Sequence, residues 1–176
     1  MMFLGSIEDR WNILNDCAAR AEEVLISSYN IYTGVDRNGR IIQSQKTRPA
    51  RIFMRAIDKP STKILVGVPP NYSCSDGCVH CAEKREGLVN RFLHHSNTWG
   101  EMNIRFAREL HLKLYLFKIS GNWIGYTGGV NLSLSDWDDI LMQIPEYNIQ
   151  EALELFAKLW EEKPETMEVL RDWSFD

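Results

Sequence analysis

Near the start of the chain, apolar residues recur at helical spacing. Trp11, Leu14, Ala18 and Ala21 share one side of a 3.6-residue repeat that Leu25 continues, and Ser6 with Asp9 supplies an N-cap and a partial capping box. The pattern then changes period. Residues 24–32 are dense in β-branched and aromatic side chains and predict a first strand. Residues 33–47, with Gly34, Asn38 and Gly39, read as a loop or hairpin. Residues 49–57 predict a short helix with Pro49 in its first turn and Ile52, Phe53, Ala56 and Ile57 on one side. Residues 63–68 form a short apolar strand that Pro69-Pro70 stops.

The second half continues the alternation. Residues 83–99 predict a helix with Leu88, Val89, Phe92 and Leu93 as its buried stripe. Strands follow at 103–106, 111–117, 123–127 and 140–144, with a hairpin turn at Ser120-Gly121-Asn122 joining two of them. Asn148 caps a last long helix whose apolar face is Ile149, Ala152, Leu153, Phe156 and Trp160; Met167, Leu170 and Trp173 suggest a short terminal helix. Helices alternating with strands predict a layered α/β domain, and 176 residues suit one such domain. No apolar run reaches the ~20 residues of a membrane helix, and the first residues lack the basic and apolar regions of a secretory signal. A cytoplasmic protein is the expectation.

Candidate chemistry gathers on the 111–117 strand and the turn that follows its hairpin. In a strand, residues i and i+2 point to the same face, so His111 and Lys113 aim at one spot. A tight turn, Gly128-Gly129-Val130-Asn131-Leu132-Ser133, then adds an amide and a hydroxyl. An imidazole beside a fixed cation, with amide donors at hand, is what attack on a phosphate ester requires.

These residues resemble the HKD motif of the phospholipase D superfamily, in which His-x-Lys is followed by a glycine-tight turn carrying an asparagine. The element order over roughly residues 7–160 is also similar to a single phospholipase D-like domain. The resemblance implies an α/β fold with a mixed β-sheet sandwiched between helices. Two departures stand out: the motif's Asp, five residues after the Lys, is Lys118 here, and the spacing to the glycine turn is about three residues longer than the commonest form.

In that family two HKD motifs face each other. One histidine attacks phosphorus to form a phosphohistidine, and the other protonates the leaving oxygen and then activates water. This chain has one motif, so the resemblance implies a homodimer with His111 of each subunit in a shared site. Lys113 and Asn131 would bind the phosphoryl oxygens and Ser133 would add a hydroxyl donor. Asp138 or Asp139 could orient His111 in place of the missing Asp. No metal is needed for this chemistry.

Charge narrows the substrate. The net charge is −4, yet Arg37, Arg40, Lys46, Arg48, Arg51, Arg55, Lys59 and Lys63 face a single acid, Asp58, between positions 37 and 63. Such a block can build a local positive groove in an acidic protein. Arg48, Arg51 and the backbone at Gly129 are therefore expected to bind substrate, and nucleic acid is the expected partner. The leading expectation is a small endonuclease. The alternatives are a phospholipid hydrolase, and a non-catalytic, zinc-stabilised nucleic-acid- or protein-binding module of the same fold.

Three cysteines, Cys74, Cys78 and Cys81, fall within eight residues. Outside a secreted context a metal is a better reading than disulfides, and three thiolates suit a tetrahedral structural zinc with a fourth ligand from elsewhere. His94 is the chosen fourth ligand, with His95, His80 and Cys17 as other candidates. The same spacing occurs in radical S-adenosylmethionine enzymes, whose barrel context is absent here, and three free thiols in a loop at 71–82 is the plain alternative.

Overall fold

The computed structural model describes residues 7–41, 48–68, 79–99, 103–108, 110–133 and 140–162. In chain order the elements are α1 (Ile7–Arg20), β1 (Glu23–Ser28), α2 (Arg48–Ile57), β2 (Lys63–Val68), α3 (Val79–Trp99), β3 (Ile104–Arg108), β4 (Leu114–Ile119), β5 (Asn122–Gly128), β6 (Leu141–Gln143), a 3-10 turn (Glu146–Asn148) and α4 (Ile149–Glu162). The strands make one mixed sheet in the order β3-β2-β1-β4-β5-β6. β1, β2 and β3 are parallel, and β4, β5 and β6 are each antiparallel to the strand before them in that order. This establishes the expected α/β class.

Strand alternation splits the core in two. Val24, Ile26, Ile64, Val66, Tyr115 and Phe117 face one cluster with Leu14 and Ala18 of α1, Ile52 and Phe53 of α2, and Val89 and Phe92 of α3. Leu25, Leu65, Leu114 and Leu116 face a second cluster with Ala152, Phe156 and Trp160 of α4. Helices therefore cover both faces, as the sandwich expectation has it. Strands wet on neither face are apolar on both, which is why Val24-Leu25-Ile26 of β1 and residues 64–68 of β2 are apolar without alternation.

α1 and α2 lie side by side in the same direction, in a 40-residue register. Arg48 pairs with Glu8 at 2.6 Å, Arg55 donates to the Asn15 carbonyl at 3.0 Å and Lys59 to the Ala19 carbonyl at 3.5 Å. Between β4 and β5 the chain turns in two residues, Ser120 (φ 51°) and Gly121 (φ 77°), the paired positive φ values of a type I′ hairpin.

Three boundaries differ from expectation. α3 begins at Val79, so Cys81 lies in its first turn and not in a loop reaching to 82. β4 begins at Leu114, three residues after His111. The strand predicted over 24–32 ends at Ser28, and Ile31 makes only an isolated bridge to Leu132. Ser6, Asp138, Asp139 and the helix expected near Met167 lie outside the described residues.

Candidate active site

The backbone ladder of β4 ends at Leu114, paired with Ser27 on one side and Thr127 on the other. Beyond that point two hydroxyls replace it: Ser27 Oγ donates to the Leu112 carbonyl at 3.0 Å, and Thr127 Oγ1 to the Lys113 carbonyl at 2.9 Å. The His-Leu-Lys segment is thus held as a continuation of the strand without being part of it, which preserves the expected same-side placement of His111 and Lys113. Thr127→Val removes one of these bonds and leaves a half-buried carbonyl unmet. It should lower the unfolding free energy by about 1 kcal/mol, seen as a lower urea midpoint at unchanged slope.

Both motif side chains meet on one ring. His111 stacks on Tyr29 with centroids 4.8 Å apart and planes 10° from parallel. Lys113 Nζ lies 6.0 Å from the centroid of the same ring. His111 is exposed and Lys113 half-buried, so both are within reach of a solvent-borne substrate.

The residues flanking Tyr29 hold the asparagine. The Asn30 N–H donates to Asn131 Oδ1 at 3.3 Å, and Ser28 Oγ lies 3.4 Å from the same oxygen. Ser28 Oγ also donates to the Asn30 carbonyl at 2.8 Å and accepts from the Leu132 N–H at 3.1 Å. The Tyr32 N–H to Leu132 carbonyl bond, at 2.7 Å, and the buried Tyr115 hydroxyl on the Val130 carbonyl, also 2.7 Å, complete the anchorage of this segment. With Oδ1 committed to Asn30, the donor end of the Asn131 amide is the opposite one.

Other expected site residues have different surroundings. Ser133 is 4% exposed, inside the protein. The Gly129 N–H donates to the Ile140 carbonyl at 3.0 Å, so it is used by the fold and is not a spare phosphate donor. Arg48 is paired with Glu8, an exposed bridge worth about 0–1 kcal/mol; Arg55 and Lys59 lean on α1, while Arg51 is exposed on α2. Lys118 sits opposite Glu23 in the sheet. Five residues along a strand is ~16 Å from Lys113, so an acid at 118 would not contact His111 either.

Cys74 and Cys78 lie outside the described residues, and α3 carries both Cys81 and His94. Thirteen residues of helix separate these two by ~20 Å along the axis, too far to share one ion, so His94 is not the fourth partner of Cys81. Cys17 is buried, its thiol 3.9 Å from the Tyr126 hydroxyl, and burial pushes that thiol up from its ordinary pKa, away from the thiolate a metal needs. No group of three metal-ligating side chains occurs among the described residues.

Sequence reasoning missed Ser28, Tyr29 and Asn30. They lie at and just beyond the carboxyl end of a parallel strand, the place where open α/β sheets assemble their sites. That rule was the available signal. A cleft lined by Leu112, Leu114, Thr127, Met142, Ile144 and Leu155 opens beside α4 and takes in Leu112, not His111. Among the described residues no helix is long and apolar enough to cross a membrane.

No protein-family model and no curated protein matches this chain. Among solved structures, the archaeal chromatin protein TrmBL2, whose structure shows a novel mode of DNA binding, aligns over 93% of this chain and 53% of its own, with a TM-score of 0.46 and 11% identity. This chain thus spans about half the length of that protein. The likeness is too slight to bear on what this chain does.

Proposed function

We propose that this chain is a phospholipase D-like phosphodiesterase acting on nucleic acid, with His111 as the reacting imidazole. The observation that carries the reading is the meeting of His111 and Lys113 on the Tyr29 ring, with Asn131 fastened to the two residues that flank it. The mixed sheet with helices on both faces is compatible with that family's fold.

In this reading a nitrogen of His111 attacks phosphorus, a P–N bond forms and the bond to the leaving oxygen breaks. The second histidine, His111 of the partner subunit, gives that oxygen its proton. It then takes a proton from water, which attacks phosphorus and releases the first imidazole. Lys113 offsets charge on the non-bridging oxygens and the Asn131 amide donates to them, a form of stabilisation whose single donors are worth ~10²–10³ in rate. A homodimer with a shared site is part of the proposal.

Exposed Arg37, Arg40 and Arg51 are the cations that favour a polyanion over a neutral lipid surface. Turnover of bis-p-nitrophenyl phosphate tests the chemistry, and oligonucleotides against phosphatidylcholine vesicles test the substrate class. Hydrolysis should continue in EDTA sufficient to remove free magnesium, and oligonucleotide cleavage should fall as salt rises. Strict magnesium dependence moves the chemistry away from His111. Absence of any turnover, with nucleic-acid binding retained, makes the chain a binding module.

A further inference from the structure

The imidazole of a phosphohistidine enzyme must be held at one angle, and no carboxylate among the described residues contacts His111. Tyr29 stacks on it with the two ring planes nearly parallel. Where that ring can lie is decided by a residue in the next strand. Gly67 is buried in β2, and a Cβ there would stand 2.8 Å from Tyr29 Cα, 2.8 Å from Tyr29 Cδ2 and 2.8 Å from the Leu110 carbonyl oxygen. Two of these three atoms are backbone and cannot swing aside. Tyr29 and Leu110, the residue before His111, therefore close over Gly67 from two sides, and the absence of a side chain sets the distance between the ring and the histidine's own backbone.

We propose that Tyr29, seated by Gly67, is the positioning residue for His111 and Lys113, taking over the orienting role for which the motif's acid is not available. Its catalytic consequence rests on the phosphodiesterase reading; its structural content does not. A flat ring under the imidazole fixes the tilt of the plane and leaves the nitrogen-bearing edge open, while the same ring's electron-rich face draws the Lys113 ammonium towards that edge. The tyrosine hydroxyl has no part in this, so the ring alone must suffice.

The experiment compares Tyr29→Phe, Tyr29→Leu and Gly67→Ala in the full chain by two readouts. The first is the proton NMR spectrum of the histidine rings, with His111→Gln used to assign His111. Stacking on an aromatic ring shifts those protons upfield. The shift should persist in Tyr29→Phe, vanish in Tyr29→Leu and change in Gly67→Ala. The second is bis-p-nitrophenyl phosphate hydrolysis. Tyr29→Phe should stay within about threefold of the parent, whereas Tyr29→Leu and Gly67→Ala should lose roughly 10–100-fold in kcat with little change in KM, as misplacement of a reacting group by ~1 Å does.

An unshifted His111 in the parent protein, or a kcat equally low in Tyr29→Phe and Tyr29→Leu, overturns the proposal. If the parent hydrolyses no diester, the functional reading fails, and the NMR comparison still decides whether Tyr29 positions His111. Should Gly67→Ala not fold, the two Tyr29 variants carry the decision alone.

Discussion

His111→Ala should abolish diester hydrolysis, by about 10³-fold or more, and leave the protein folded. The side chain is exposed and stands ahead of the β4 ladder. Its ring contact is the Tyr29 stack, whose loss costs about 0.5–1.5 kcal/mol. The backbone at 111–113 is held through the carbonyls of Leu112 and Lys113, which the substitution does not touch. Stability and activity should therefore separate: a thermal melt within a few degrees of the parent, beside a kcat near background. Labelling with a diester radioactive at phosphorus, quenched in alkaline detergent because a P–N bond is lost in acid, should trap a covalent phosphoryl adduct in the parent and none in the variant. A variant that still turns over at the parental rate would mean that another group attacks phosphorus.

Gly128→Ala should produce the largest loss of stability, roughly 3 kcal/mol or more. Gly128 ends β5 with φ 147°, a conformation that side-chain-bearing residues rarely adopt. A Cβ there would also stand 1.9 Å from the Ile140 carbonyl oxygen, the acceptor of the Gly129 N–H. Strain and collision act together, and the chain must part from the strand leading into β6. Because the same turn delivers Val130 and Asn131 to the end of β1, hydrolysis should fall along with the urea midpoint. A midpoint shift equivalent to less than ~1 kcal/mol would show that the turn yields easily.

Much of the fold could be read from one dimension. The 3.6-residue recurrence of Trp11, Leu14 and Ala18, and of Ile149, Ala152, Phe156 and Trp160, marks faces that are buried. β2 lies at the expected residues because Pro69-Pro70 ends it and the run before it is apolar throughout. α3 was harder to delimit: Val79 is 70% exposed and the buried stripe starts only near Leu88, so the first turns carry no apolar signal.

The site was legible only where its residues are close in sequence. His111 and Lys113 could be paired because a strand's period joins them. Tyr29 could not, since it lies 82 positions before His111, in a segment that reads simply as strand, and meets it only once β1 and β4 lie side by side. Part of the basic block is used by the fold for a related reason. Arg48, Arg55 and Lys59 resemble a nucleic-acid groove in the sequence, but each finds its partner 40 positions earlier, on α1.

The change from backbone ladder to hydroxyl clasp at Leu114 also divides the molecule by cooperativity. Opening residues 111–113 breaks two side-chain bonds, the contacts of His111 and Lys113 with Tyr29 and the packing of Leu112, but no rung of the sheet, so this segment can come loose at a free energy below that of global unfolding. The fold thereby joins a rigid sheet to a short strip, bearing His111 and Lys113, that can open locally while the ladder from Leu114 onward stays paired.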